Sequence, residues 1–153
     1  MPIYFYSIRE IPYGAFSNFS AHGFTLDGRF WKTSEHYFQA QKFVGTPVAE
    51  QIRTTATPKE ANALGRHLQL PLRTDWEMVK DDIMLTVLRR KFAMHKDLQK
   101  QLLATENEDL IEDDVTNEYW ACGANGKGRN RLGQLLMQVR KELRSRGKPE
   151  QEP

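Results

Sequence analysis

Residues 33–43 read Thr-Ser-Glu-His-Tyr-Phe-Gln-Ala-Gln-Lys-Phe, and this stretch decides the fold. Thr33 or Ser34 can accept a hydrogen bond from the first helical amides, and neither glycine nor proline interrupts the run, so a helix is expected to about Val44. Glu35, Gln39 and Lys42 recur at i, i+4 and i+7 and share one face. Spacing alone makes that an ordinary polar stripe. The neighbouring Tyr37, Phe38 and Phe43 are apolar, so the helix is expected to be partly buried, and a buried glutamate needs a partner. A carboxyl group with a perturbed pKa is a natural general acid or base.

Working outward, Phe24-Thr25-Leu26 and Arg29-Phe30-Trp31 flank Asp27-Gly28, a two-residue hairpin signal because both turn residues tolerate positive φ. Ile3 to Ser7 is aromatic-rich and short, which predicts a strand. Pro47 suits the first turn of a second helix. Thr57-Pro58-Lys59-Glu60 and Thr74-Asp75-Trp76-Glu77 each read as a capping box. The second box opens the longest helix, about Asp75 to His95, with apolar rows Val79/Ile83/Val87 and Met84/Leu88/Phe92. Leu98, Leu102 and Leu103 mark a shorter helix, and Leu110-Ile111-Glu112 a strand. Leu132, Leu135, Leu136, Val139 and Leu143 place a last amphipathic helix from about Arg131 to Arg146. The expected fold class is α+β, mostly helical, with a small β-sheet and hairpin.

A chain of 153 residues suits one domain, expected over 1–146, with 147–153 a disordered tail. Hydrophobic residues make up 39% and charged residues 27%, so the chain should fold, with the strongly polar surface that a mean hydropathy of −0.66 implies. Apolar runs such as Leu135-Leu136-Met137 fall far short of the roughly 20 residues of a membrane span. The opening Met1-Pro2-Ile3-Tyr4 lacks the basic and apolar parts of a secretory signal, so a cytoplasmic protein is expected. The single cysteine, Cys122, excludes an intrachain disulfide and a multi-cysteine zinc site. His22, His36, His67 and His95 show no metal-ligand spacing, so neither a metal nor a cofactor is expected.

Charge is unevenly distributed. Residues 106–118 hold seven acids and no base, whereas 127–148 hold eight bases and one acid. From Arg140 onward a solvated helix end, with cations at its negative dipole, accounts for the run. Gly126-Lys127-Gly128 and Asn130, just before the last helix, form either a flexible turn or an anion site built from glycine-loop amides and the cations Lys127, Arg129 and Arg131. The loop around Phe16, Ser17, Asn18 and Phe19 either cradles a planar base and a sugar or plugs the core. Base–aromatic stacking is worth ~1–3 kcal/mol. Trp76, Tyr119 and Trp120 pose the same choice between packing and stacking.

These segments together resemble the YbiA-like, or NADAR, family. The match runs from about Phe5 to Leu143 and includes Tyr13-Gly14-x-Phe16-Ser17-Asn18-Phe19, the stretch 33–43, Arg73-x-x-Trp76, Tyr119-Trp120 and Gly126-Lys127-Gly128-x-Asn130-x-Leu132-Gly133. The resemblance implies the YbiA-like fold and hydrolysis of an N-glycosidic bond. The substrate it implies is a ribose 5-phosphate joined to an aminopyrimidine, as in early riboflavin biosynthesis. The alternatives are removal of ADP-ribose from guanine bases in DNA or RNA, and a non-catalytic module binding a nucleotide or ADP-ribose. By analogy Glu35, Lys42 and Trp76 are catalytic. Phe16, Ser17, Asn18, Phe19, Gln39, Asn117, Tyr119, Trp120, Gly126, Lys127, Gly128 and Asn130 bind substrate. Glu35 would activate water or stabilise an oxocarbenium-like transition state, and Lys42 would hold the sugar or phosphate, or form a Schiff base with the opened sugar. The expected partner is a phosphorylated ribosylamine or an ADP-ribose-type molecule, or ADP-ribosylated nucleic acid, with no membrane and a monomer or weak oligomer. The chain departs from the family pattern at Asn117, where many members carry an aspartate, and at Ala121-Cys122-Gly123, where Gly-x-Gly is common. An amide at 117 cannot take a proton as a carboxylate does.

Overall fold

A computed structural model describes residues 1–67 and 69–147. Four strands and six α-helices follow one another along these residues. They are β1 (Ile3–Phe5), β2 (Phe24–Leu26), β3 (Arg29–Trp31), α1 (Ser34–Gln41), α2 (Pro47–Arg53), α3 (Pro58–Gly65), α4 (Trp76–Met94), α5 (Lys96–Leu103), β4 (Leu110–Glu112) and α6 (Arg131–Gly147). A short 3-10 turn, Tyr13–Phe16, lies between β1 and β2. The class is α+β, as the sequence pattern requires, but the small sheet is two separate pairs. β2 and β3 form the antiparallel hairpin, with Asp27 (φ 55°) and Gly28 (φ 75°) turning it as their chemistry predicts. β1 and β4 pair in parallel, Ile3 beside Leu110 and Phe5 beside Glu112, joining chain segments more than a hundred residues apart.

Helix α1 stands at the centre, packed against α2, α3 and α4, and every residue from Ser34 to Ala40 is buried. Polar as well as apolar side chains of this stretch are enclosed by the protein. Its polar groups therefore find partners inside the protein. Thr33 caps the helix by accepting from His36 N at 3.2 Å. The His36 ring is held between Thr33 Oγ1 at 2.8 Å and Thr55 O at 3.1 Å, which makes it a structural histidine. Around α1 the core gathers Phe5, Phe16, Phe24, Trp31, Phe43, Ile52, Leu88, Phe92, Leu102 and the inner face of α6.

Helix boundaries correct three expectations. Helix α1 ends at Gln41, so Lys42 to Val44 form a turn that continues from it. The Thr57 cap forms, accepting from Glu60 N at 3.1 Å. The Thr74 capping box does not, because the Arg73 guanidinium grips both oxygens of Asp75 (2.6 and 3.0 Å) and α4 begins at Trp76, without a side-chain cap. Helix α6 includes Gly147, and the rest of the expected tail lies outside the described residues.

Candidate active site

One face of α1 opens onto a cavity of about 660 Å³, closed by the 17–19 loop, α3, the start of α4 and the segment 112–120. That volume suits a small-molecule ligand. Glu35, Gln39 and Lys42 all line it, as their i, i+4, i+7 spacing requires. Glu35 is buried, and its Oε1 accepts from Gln39 Nε2 at 2.7 Å and from Asn62 Nδ2 at 2.9 Å. Burial pushes the carboxyl above its usual range, opposed by those two amide donors and by the charges of Lys42 and Arg66. Lys42 Nζ donates to Gly65 O at 3.3 Å and lies 5.7 Å from the Trp76 ring centre. Burial lowers its amine pKa, and the Glu35 charge acts the other way. Gln39 Oε1 is buried with no partner among the described residues, and it is pressed against Gly65, where a Cβ would meet Gln39 Cβ at 2.8 Å. The absence of a side chain at 65 is therefore what lets Gln39 reach Glu35.

The aromatic wall is a chain of tilted and edge contacts. Phe38 lies 5.0 Å from Trp76 and 5.4 Å from Trp120, and Trp120 lies 4.8 Å from Tyr119. Tyr119 is fixed by its hydroxyl donating to Asp81 at 2.6 Å, with Lys80 and Arg129 against its ring at 3.8 and 4.9 Å. Asn117 lines the cavity, and its Oδ1 accepts from the backbone amides of Tyr119 (3.1 Å) and Trp120 (2.9 Å). An aspartate oxygen would cap that turn equally well. Ser17, Asn18 and Phe19 also line the cavity. Asn18 is committed to structure, however, accepting from Ser34 Oγ at 2.9 Å while Glu35 N donates to its carbonyl at 3.1 Å. The loop thus both plugs the core and walls the cavity.

Phe16 and the glycine segment are placed elsewhere. Phe16 is fully buried among Phe5, Tyr13 and Phe92. Gly126 and Lys127 are exposed, and neither they nor Gly128 and Asn130 line the cavity. The amides that would hold an anion are already taken. Gly128 N donates to Cys122 O at 2.6 Å, Asn130 N to Ala121 O at 3.0 Å, Arg131 N to Tyr119 O at 3.0 Å and Leu132 N to Trp120 O at 3.1 Å. The segment is a clamp that seats Tyr119 and Trp120. Asn130, at φ 51°, uses its side chain as a short substitute strand, accepting from Glu112 N at 3.0 Å and donating to Leu110 O at 2.9 Å.

Sequence reasoning missed Asn62, Arg66, Lys80, Glu112 and Asp114, all of which line the cavity. Asn62, Arg66 and Lys80 carry no local signal. For Glu112 one was available, since alternation along β4 puts it on the face of the fully buried Leu110. Lys42, Arg66 and Lys80 bring positive charge to the cavity lining and Glu35, Glu112 and Asp114 negative charge, with Lys42 and Arg66 near enough to Glu35 to favour its ionised form. Among the described residues no cluster of histidine, cysteine and carboxylate side chains fits a metal ion. Among the described residues no helix is long and apolar enough to cross a membrane.

Fold and site together define a mostly helical α+β protein with a carboxylate–lysine pair at the wall of a ligand cavity. The chain belongs to the NADAR family, whose domain model matches residues 4–144. It is 48% identical to an N-glycosidase of Nostoc punctiforme over 95% of this chain and 94% of that one. It is 39% identical to a riboflavin biosynthesis protein of Vibrio vulnificus, covering 93% of this chain and 38% of that longer protein. The NMR structure of the Escherichia coli protein YbiA superimposes with a TM-score of 0.87 at 44% identity, covering 99% of this chain and 90% of that one.

Proposed function

We propose that this chain is a hydrolase of N-glycosyl bonds that cleaves ribose 5-phosphate from an aminopyrimidine. The observation that carries the proposal is Glu35, a buried carboxylate whose Oε1 is held by two amide donors in a cavity wall beside Lys42. Such a group is aimed and short of solvent, so it can take a proton from water or face the positive charge that develops on C1′. The names of relatives, an N-glycosidase and a riboflavin biosynthesis protein, support the reaction and the substrate class.

Within the cavity the sugar lies against Glu35, and the base stacks in the wall formed by Trp76, Trp120 and Phe19. Arg66 and Lys80, with Lys42, receive the phosphate, because the glycine-segment amides are spent inside the protein. The reaction runs in the cytoplasm on a free small molecule. The same cavity acting on ADP-ribosylated guanine is the competing substrate class.

Glu35→Gln keeps the shape and removes the base. Its turnover of a ribosylaminopyrimidine 5-phosphate is expected to fall at least ~10²-fold; retained turnover refutes the assignment. A second course for the same bond is favoured by the lowered amine of Lys42, which is what attack on the opened sugar requires. Borohydride treatment during turnover traps a sugar adduct on Lys42 if that course operates, and leaves the protein mass unchanged if water attacks directly.

A further inference from the structure

The cavity holds a carboxyl group that the proposed use of Glu35 leaves without a role. Glu112 ends β4, and its main chain is fixed on several sides. Its N–H donates to Asn130 Oδ1 at 3.0 Å, its carbonyl accepts from Cys122 N at 3.0 Å, and the adjacent Asp113 N donates to Phe5 O at 2.8 Å. Its side chain lines the cavity, and among the described residues nothing forms a hydrogen bond or ion pair with its carboxyl oxygens. We infer that Glu112 is a second catalytic carboxyl group, the one that hands a proton to the departing nitrogen while Glu35 accepts a proton from the attacking water. This inference rests on the N-glycosidase function proposed above.

The two carboxyls sit in opposed environments. Burial raises Glu35 as well, but two amide donors on one oxygen and the charges of Lys42 and Arg66 work against that and favour its ionised form. Glu112 has no donor, and it feels Asp114 and Glu35 across the cavity. Burial first, and those two charges second, push it up to about 8. Donors and cations around Glu35 favour its ionised form, and the lack of any donor beside Glu112, with carboxylates near it, favours the protonated form, the division that a base and an acid require. An aminopyrimidine nitrogen leaves poorly as an anion, so the proton is needed where the bond breaks. The step balances. The C1′–N bond opens, nitrogen takes the Glu112 proton and C1′ bonds to the water oxygen. Glu35 receives the proton that water loses. Exchange with solvent then restores Glu112 as the acid and Glu35 as the base. Asn130, read from sequence as a substrate ligand, acts here as a positioning residue, since it holds the strand that carries the acid.

The test compares wild type with Glu112→Gln on two substrates. One is the ribosylaminopyrimidine 5-phosphate, and the other is 4-nitrophenyl riboside 5-phosphate, whose phenolate leaves without a proton. On the first, kcat/KM is expected to fall ~10²–10⁴-fold; on the second, less than about tenfold by the same reasoning. The wild-type pH profile on the first should fall as pH rises through about 8, and that limb should vanish in Glu112→Gln. Equal losses on both substrates, retention on both, or an unchanged alkaline limb overturns the assignment. If the nitrophenyl compound resists the wild type, the limb alone decides. A wild type inactive on both substrates overturns the N-glycosidase proposal itself, and with it this one.

Discussion

Asn130→Ala tests how the edge of β4 is held. The Asn130 amide pairs with Leu110 O and Glu112 N, so alanine strands both groups. Leu110 is fully buried, and an unpaired buried carbonyl costs about 1–3 kcal/mol. Glu112 is only half-buried, so water partly replaces the lost bond and about 1 kcal/mol is reasonable there. Alanine at the φ of 51° adds roughly 1 kcal/mol, because asparagine tolerates the left-handed region better. The total is about 3–5 kcal/mol, a large share of the ~5–15 kcal/mol that holds a typical domain folded. Urea unfolding followed by the fluorescence of the three tryptophans measures it. Asn130→Gly relieves the backbone strain and should recover about 1 kcal/mol of the loss. An alanine variant within about 1 kcal/mol of wild type at unchanged m-value would refute the description of Asn130 as a substitute strand.

Two other outcomes follow from the same structure. Arg66 lines the cavity with no side-chain partner among the described residues, so Arg66→Ala should raise KM for the phosphorylated ribosylamine by about 10–100-fold, the equivalent of one charged hydrogen bond. KM for the dephosphorylated compound should stay near wild type in steady-state kinetics, and an equal rise for both would place the phosphate elsewhere. Lys91 is fully buried, donating to Ala15 O at 2.7 Å and Ser17 O at 3.0 Å, and burial lowers its amine to about 7. The unfolded chain, with its lysine near the ordinary 10.5, binds more protons between pH 7 and 10.5, so the Lys91 contribution to stability rises with pH across that window. Relative to Lys91→Met, wild type should gain a few kcal/mol from pH 7 to 10 in urea unfolding, and a flat difference would show that the amine stays charged in the fold.

Features written into neighbouring residues were legible from sequence, and features made by distant ones were not. Asp27-Gly28 and Thr57-x-x-Glu60 shape themselves through positive φ and a capping hydroxyl, and both formed as expected. Thr74 offered the same capping pattern and lost, because Arg73 took Asp75 and moved the helix start. The polar stripe Glu35, Gln39 and Lys42 was correct in register, but the burial of Glu35 and Gln39 depends on three helices that no local pattern brings together. The glycine segment misled for a physical reason. Glycines and cations before a helix look alike whether their amides meet a phosphate or the carbonyls of residues 119–122. Glu112 reaches the cavity only through the parallel pairing of β4 with β1, a strand more than a hundred residues earlier.

The most direct test of the central claim is incubation of the wild-type protein with a ribosylaminopyrimidine 5-phosphate, beside ADP-ribosylated DNA, with both products quantified. Cleavage by the cavity of Glu35 and Lys42 predicts ribose 5-phosphate and free aminopyrimidine in equal amounts, released far faster than without enzyme. No ribose 5-phosphate above the enzyme-free rate, with ADP-ribose released from the DNA instead, would contradict it.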